Sequence, residues 1–157
     1  LNIETFSLAE LVQDVVQKYQ LRAQQQGIAL TFELSDTSAF VDGDIGLTER
    51  VLENLMENAF THTPDGGSIG LRIDNLEDAV STSVQDSGAG IAESELTRIF
   101  DPFFLSAERK KSGQHAGLGL AIAKQIMNLQ QGDIQVHSVY GEGATFVFTM
   151  PRNNPAG

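Results

Sequence analysis

Apolar residues recur at helical spacing through Leu8, Leu11, Val12, Val15, Val16, Tyr19 and Ala23, with Ser7 placed to cap the start, Glu10 three residues on, and Gly27 to close. The spacing predicts an amphipathic helix from Ser7 to about Gln26. Ile28, Leu30, Phe32 and Leu34 then alternate with other residues as a strand does, and a short strand over 39–41 leads to Asp44 as a helix N-cap. From Ile45 to His62 the period is helical again, with Val51, Leu52, Leu55, Met56 and Ala59 on one face. Thr63-Pro64-Asp65-Gly66-Gly67 is dense in breakers and predicts a turn.

Ile69, Leu71 and Ile73, then Val80, Thr82 and Val84, alternate on either side of a polar stretch and read as a β-hairpin. A glycine-rich loop, Asp86-Ser87-Gly88-Ala89-Gly90, precedes a short helix over about 93–100. Residues 101–116 show no apolar period, which inside a compact domain suggests a functional lid. A helix from about Gly117 to Leu129 stops at Gly132, and strands over 134–139 and 144–150 form a final hairpin. Short turns between neighbouring strands imply antiparallel pairing, and long amphipathic helices need a sheet face to cover. The expected fold is a two-layer α+β sandwich: a mixed, largely antiparallel sheet covered on one face by three helices.

Composition narrows the chemistry. At 157 residues, 41% hydrophobic and 20% charged, the chain has the profile of one ordinary globular domain. A net charge of −11 with ten basic residues argues against a nucleic-acid partner, because phosphate backbones are gripped by clustered Lys and Arg. Any phosphate site must be local, built from backbone N–H groups, a metal ion and a few cations. With no cysteine, disulfides and thiolate metal sites are excluded. No apolar run approaches the roughly 20 residues of a membrane span, so this segment is expected to make no direct membrane contact. The chain starts with Leu, as expected of a piece of something longer.

Asn54, Asn58 and His62 fall at i, i+4 and i+8, a polar stripe beside the apolar face of their helix. Asn and His are tolerated at a solvent border; equally, an amide oxygen is a hard ligand suited to Mg²⁺. Asp86 sits at a strand end, with Gly88 and Gly90 letting backbone approach a ligand; a plain turn has the same pattern. Gly117, Leu118, Gly119 and Leu120 open a helix whose free N–H groups could meet phosphate, or whose small residues simply pack closely. Neither a Rossmann nor a Walker pattern is present. Phe100-Asp101-Pro102-Phe103-Phe104 reads as an apolar anchor for the lid.

In order and spacing these segments resemble the catalytic domain of sensor histidine kinases, within the superfamily that includes gyrase, Hsp90 and MutL. Asn54–Ala59 is similar to the N box, Asp86–Gly90 to the first glycine box, Phe100–Phe104 to the F box, Gly117–Ile122 to the second glycine box and Gly141–Phe146 to the closing Gly/Thr block. The resemblance implies a Bergerat-type fold that binds ATP and Mg²⁺. It implies that Asp86 accepts from the adenine amino group, that Gly88 and Gly90 clear space for the base with Ile91 and Thr145 near it, and that His62 lies against adenine. Asn58 would hold Mg²⁺ with Asn54 assisting, Gly117 to Leu120 would face phosphate, and 101–116 would be the ATP lid. Relatives often carry Lys or Arg at the place of Thr61; here Arg109, Lys110 and Lys111 could supply that charge.

Relatives that hydrolyse ATP carry Glu at the place of Asn54, so slow intrinsic hydrolysis is expected. Glu53 and Glu57 are expected to face solvent on the far side of the helix from the core. A kinase instead uses a histidine from another domain as nucleophile, and none of His62, His115 or His137 resembles that acceptor. The implied arrangement is residues 1–6 as the link from a dimerisation domain of the same protein, homodimeric in full length, 7–151 as the catalytic domain, and 152–157 as a flexible tail. A response regulator downstream, a cytoplasmic location and inability to autophosphorylate alone follow as expectations. An anti-sigma-factor-type serine kinase and a nucleotide-free pseudo-kinase are the competing readings; the F box and the intact Asp86, Asn58 and glycine boxes weigh against them.

Overall fold

The computed structural model describes residues 1–35, 38–104 and 118–153. After strand β1 (Glu4–Ser7), helix α1 (Leu8–Gln26) starts at Ser7, whose hydroxyl accepts from the Glu10 N–H at 3.2 Å, and ends at Gly27 with φ 65°. Strands β2 (Ala29–Leu34) and β3 (Phe40–Gly43) follow. Helix α2 (Ile45–His62) begins at Asp44, which accepts from the Leu47 N–H at 3.0 Å. Strands β4 (Ser68–Asn75) and β5 (Ala79–Asp86), a single turn α3 (Glu93–Leu96), helix α4 (Gly119–Leu129), and strands β6 (Asp133–Ser138) and β7 (Ala144–Pro151) complete the order.

The main sheet has five strands in the order β2-β4-β5-β7-β6, antiparallel except for the parallel β2–β4 pair. Its apolar face carries Ile69, Leu71, Ile73, Val80, Val84, Phe146, Phe148 and Met150, all buried against α1, α2 and α4. The α2 stripe read from the sequence is in that core: Val51, Leu52, Leu55, Met56 and Ala59 are buried. The opposite sheet face is polar, as an antiparallel sheet with one solvated side permits. This is the expected two-layer α+β sandwich.

Strand pairing departs from the expectation in one place. β2 and β3 are not a hairpin: β2 pairs in parallel with β4, and β3 pairs antiparallel with β1 in a separate two-stranded ribbon. The cause is the Gly66-Gly67 turn, which docks on the end of α1 and the start of β2 through Gly66 N–H to Gln26 O (3.1 Å) and Ala29 N–H to Gly67 O (3.0 Å). That docking sends β4 alongside β2 in the same direction, with β3 and α2 in the crossover. The short helix after the glycine loop is one turn rather than two, and continues as successive tight turns to Phe104.

Two chain ends meet on the ribbon. Thr5 Oγ donates to Asp42 at 2.6 Å, Asn153 Nδ2 donates to the same carboxylate at 3.1 Å, and the Asn153 N–H reaches Phe40 O at 2.9 Å. Residues 154–157 lie outside the described residues.

Candidate functional site

At the ends of β5, β6 and β7 three residues form one cross-strand row, Asp86 beside Ala144 beside Ser138. The row lies on the helix-facing side of the sheet, and Asp86 is 4% exposed. Burying a carboxylate is costly unless it is hydrogen-bonded. Its Oδ1 accepts from the Gly88 N–H at 2.9 Å and the Ala144 N–H at 3.4 Å. Glycine is required around it for separate reasons. At Gly88 a Cβ would collide with the backbone carbonyl of His62, so the glycine loop rests on the end of α2. Gly90 (φ 76°) and Gly143 (φ 95°) occupy the left-handed region, and a Cβ would strike Val139 O at the first and Asp86 O at the second. Ile91 follows Gly90 into the interior, 5% exposed.

Across from this loop, α2 presents its polar stripe. Asn58 is 7% exposed and its Oδ1 has no hydrogen-bond partner among the described residues. Native interiors rarely leave a buried amide oxygen unpaired, and each exception calls for a water, an ion or a ligand. A hard, unpaired oxygen of this kind suits Mg²⁺, which takes oxygen donors and shares its remaining positions among phosphates and water. One turn earlier, Asn54 Nδ2 donates to the Gly119 carbonyl at 3.1 Å and so joins α2 to the start of α4. His62, partly buried, closes the stripe at the helix end.

Helix α4 begins at Gly119 with Leu118 at the cap position and no side-chain cap, while Leu120 is buried in the core. A helix start of this kind offers its first-turn N–H groups and positive dipole end to an anion. Gly117, Arg109, Lys110, Lys111 and His115 lie outside the described residues, as does most of the lid. The Phe100 ring meets Phe146 edge-to-face at 6.1 Å, whereas Phe103 is largely exposed.

Thr145 is not brought to this site. It pairs with Gln85 and His137 on the outer, polar face of the sheet, and these residues border a shallow cleft of about 220 Å³ that continues along the β6–β7 turn at Val139, Glu142 and Gly143. The reason is the two-residue period of β7: Ala144 and Phe146 face the helices, so Thr145 must face away. Glu57 faces solvent, as expected, and also reaches across to α1. It takes a hydrogen bond from Tyr19 Oη (3.0 Å) and a two-pronged one from Arg22 (2.9 Å), while Glu53 stands 3.6 Å from Lys18, so both are turned toward α1. Burial and the Glu57 hydrogen bond push the Tyr19 hydroxyl well above its ordinary pKa, so it stays protonated and donating.

The sequence placed Gly143 and Ala144 in the closing Gly/Thr block without giving either a role, and it did not single out Ser138. Their signal is cross-strand register, which no local spacing encodes.

Residues 43–154 match the family model described as histidine kinase-, DNA gyrase B-, and HSP90-like ATPase. The alginate biosynthesis sensor protein KinB of Pseudomonas aeruginosa is 37% identical over 151 residues, 96% of this chain and 25% of its own length. The chain thus spans about a quarter of that relative. Among solved structures, the nucleotide-free catalytic domain of histidine kinase ThkA superposes with a TM-score of 0.87 at 28% identity, covering 98% of this chain and 100% of that one. Histidine kinase ThkA in complex with response regulator protein TrrA gives a TM-score of 0.82 at 28% identity, over 96% of this chain and 42% of that one. A family match over most of the chain, a fold shared end to end and a glycine-framed acidic strand end together show that the chain belongs to the histidine kinase-, DNA gyrase B- and HSP90-like ATPase family, as a histidine kinase catalytic domain.

Proposed function

We propose that this domain binds Mg-ATP with adenine against Asp86 and the phosphates beside Asn58 and the start of α4, and presents the γ-phosphoryl group to a histidine on a separate dimerisation domain of the same protein. The observation that carries the reading is the buried Asp86 carboxylate, held at a strand end inside a frame of glycines. A carboxylate there accepts from an exocyclic amino group, which adenine offers and guanine replaces with a carbonyl. The amide oxygen of Asn58 is the donor available to the metal. When bound, Mg²⁺ offsets phosphate charge and holds the γ-phosphoryl for in-line attack. Asn54 fixes the α4 start that faces the phosphates.

Position 54 carries an amide, and Glu53 and Glu57 pair with residues of α1, so among the described residues of α2 no carboxylate is placed to polarise water. The domain contributes positioning and electrostatic stabilisation, and hydrolysis is slow. No helix among the described residues is long and apolar enough to cross a membrane. We place the domain in the cytoplasm, with a response regulator as the downstream acceptor by analogy with the ThkA complex.

Calorimetry with ATP and Mg²⁺ tests the site. Wild type binds, Asp86→Ala loses adenine-dependent binding, and Asn58→Ala loses the Mg²⁺ dependence; unchanged affinity in both variants overturns the assignment. Acid-labile phosphohistidine formed on this chain alone from labelled ATP would refute the separate acceptor.

A further inference from the structure

Ser138 ends β6 in the cross-strand row with Ala144 and Asp86. Its hydroxyl uses both of its capacities: it accepts from the Ile91 N–H at 2.7 Å and donates to the Gly143 carbonyl at 2.9 Å. The first bond holds the far end of the glycine loop, just after Gly90 turns left-handed. The second holds the hairpin residue whose missing Cβ leaves room for the Asp86 carbonyl. Gly90 itself lies so close over this point that a Cβ would come within 3.0 Å of Ser138 Oγ. The β6–β7 turn adds another tie, from the Gly141 N–H to Ala89 O.

One hydroxyl therefore joins the loop that begins at Asp86 to the two strands beside it. Asp86 is fixed at the near end of that loop by β5 and by its bonds to Gly88 and Ala144. Ser138 fixes the far end, Gly90 and Ile91, at a set distance from the carboxylate. We propose that Ser138 is a positioning residue for nucleobase selection: it holds the Gly90–Ile91 wall in register with Asp86, so that an adenine amino group meets the carboxylate and a guanine carbonyl does not. This rests on the adenine reading of Asp86 given above.

Without the hydroxyl, the buried Ile91 N–H and the Gly143 carbonyl both lose their partner, and the loop gains freedom at the end opposite Asp86. A merely structural loss lowers melting temperature but leaves the ratio of ATP to GTP affinity as it was. A loss of register lowers that ratio.

The experiment measures binding of ATP, GTP and inorganic tripolyphosphate, each with Mg²⁺, to the 157-residue chain by calorimetry, alongside thermal unfolding. Variants are Ser138→Ala, Ser138→Thr and, as a stability control on the same strand, Val136→Ala. The expected result is that Ser138→Ala weakens ATP about tenfold and tripolyphosphate less than about twofold, with most of the ATP preference lost. Ser138→Thr keeps the hydroxyl and restores the preference to within about threefold, and Val136→Ala lowers melting temperature with the preference intact. Should Ser138→Ala not fold, Ser138→Cys, with its weak donor and acceptor, takes its place with the same expectation in direction. Retained ATP preference in the hydroxyl-less variant, or equal loss of ATP and tripolyphosphate, overturns the role of Ser138 alone. A wild-type chain with no preference for ATP overturns the adenine reading and this inference with it.

Discussion

Asn54 and Gly119 are joined by a side-chain to backbone hydrogen bond, 3.1 Å from the amide nitrogen to the carbonyl oxygen, which ties the N box on α2 to the first residue of α4. The nitrogen is the part of Asn54 that the fold uses, so a carboxylate of the same shape cannot replace it. Asn54→Asp sets an acceptor against an acceptor and releases the α4 start from α2. The expected outcome is a weakening of ATP binding by about 1–2 kcal/mol, the usual scale for a lost hydrogen bond that leaves a partner unpaired. Calorimetry reads it directly. Full affinity in Asn54→Asp would show that the tie does not serve the phosphate end of the site.

Asn58 separates function from stability. Its Oδ1 is buried and unpaired among the described residues, a cost the folded protein carries in the absence of a ligand. Asn58→Leu, close in volume and free of polar atoms, should raise the melting temperature of the ligand-free domain by about 2–4 °C for ~1 kcal/mol at this size. The same substitution should abolish Mg²⁺-dependent ATP binding. Thermal unfolding without nucleotide and a Mg²⁺ titration with ATP check the two halves; a less stable and still metal-responsive variant contradicts both.

The three long helices were legible because each carries an unbroken apolar stripe and an end signal: Ser7 and Gly27 for α1, Asp44 for α2, Gly132 after α4. Pairing was not legible. β1 is four residues with only Phe6 buried, too short for a period, and it exists because β3 lies beside it. The parallel β2–β4 pair depends on where a glycine turn docks, which is tertiary information. Thr145 marks a different limit. The apolar phase of β7, Phe146, Phe148 and Met150, already implies that Thr145 faces away from the helices, whereas a motif specifies order along the chain and not the face of a strand.

Thr82 offers a gain in stability at no cost to the site. It sits mid-strand on the core face of β5 between Val80 and Val84, fully buried, with its hydroxyl unpaired among the described residues. Valine has nearly the same shape and removes the unsatisfied group. Thr82→Val should stabilise the domain by about 1–2 kcal/mol in urea unfolding and leave ATP affinity within about twofold. A destabilised Thr82→Val would mean that the hydroxyl has a partner in solution.

Asp44 links the N-terminal ribbon to the start of α2 and supplies a pH dependence with a definite sign. Its carboxylate accepts from the Leu47 N–H at 3.0 Å and from the Asn2 N–H at 2.9 Å, and these bonds, the one from Leu47 foremost, hold its pKa below the ordinary 3.8. A carboxylate whose pKa is depressed on folding contributes stability that is fully present above the unfolded value and is lost as pH falls through the folded one. Asp44→Asn keeps an oxygen for the Leu47 N–H but gives up the charge and the second accepting oxygen. The wild type should therefore be more stable than Asp44→Asn at pH 7, with the difference shrinking once the pH drops below 3.8. Urea unfolding of both proteins at neutral pH and on either side of that value measures it. A difference that stays constant into acid would assign the effect of the substitution to packing at the helix start and remove the carboxylate's charge from the account.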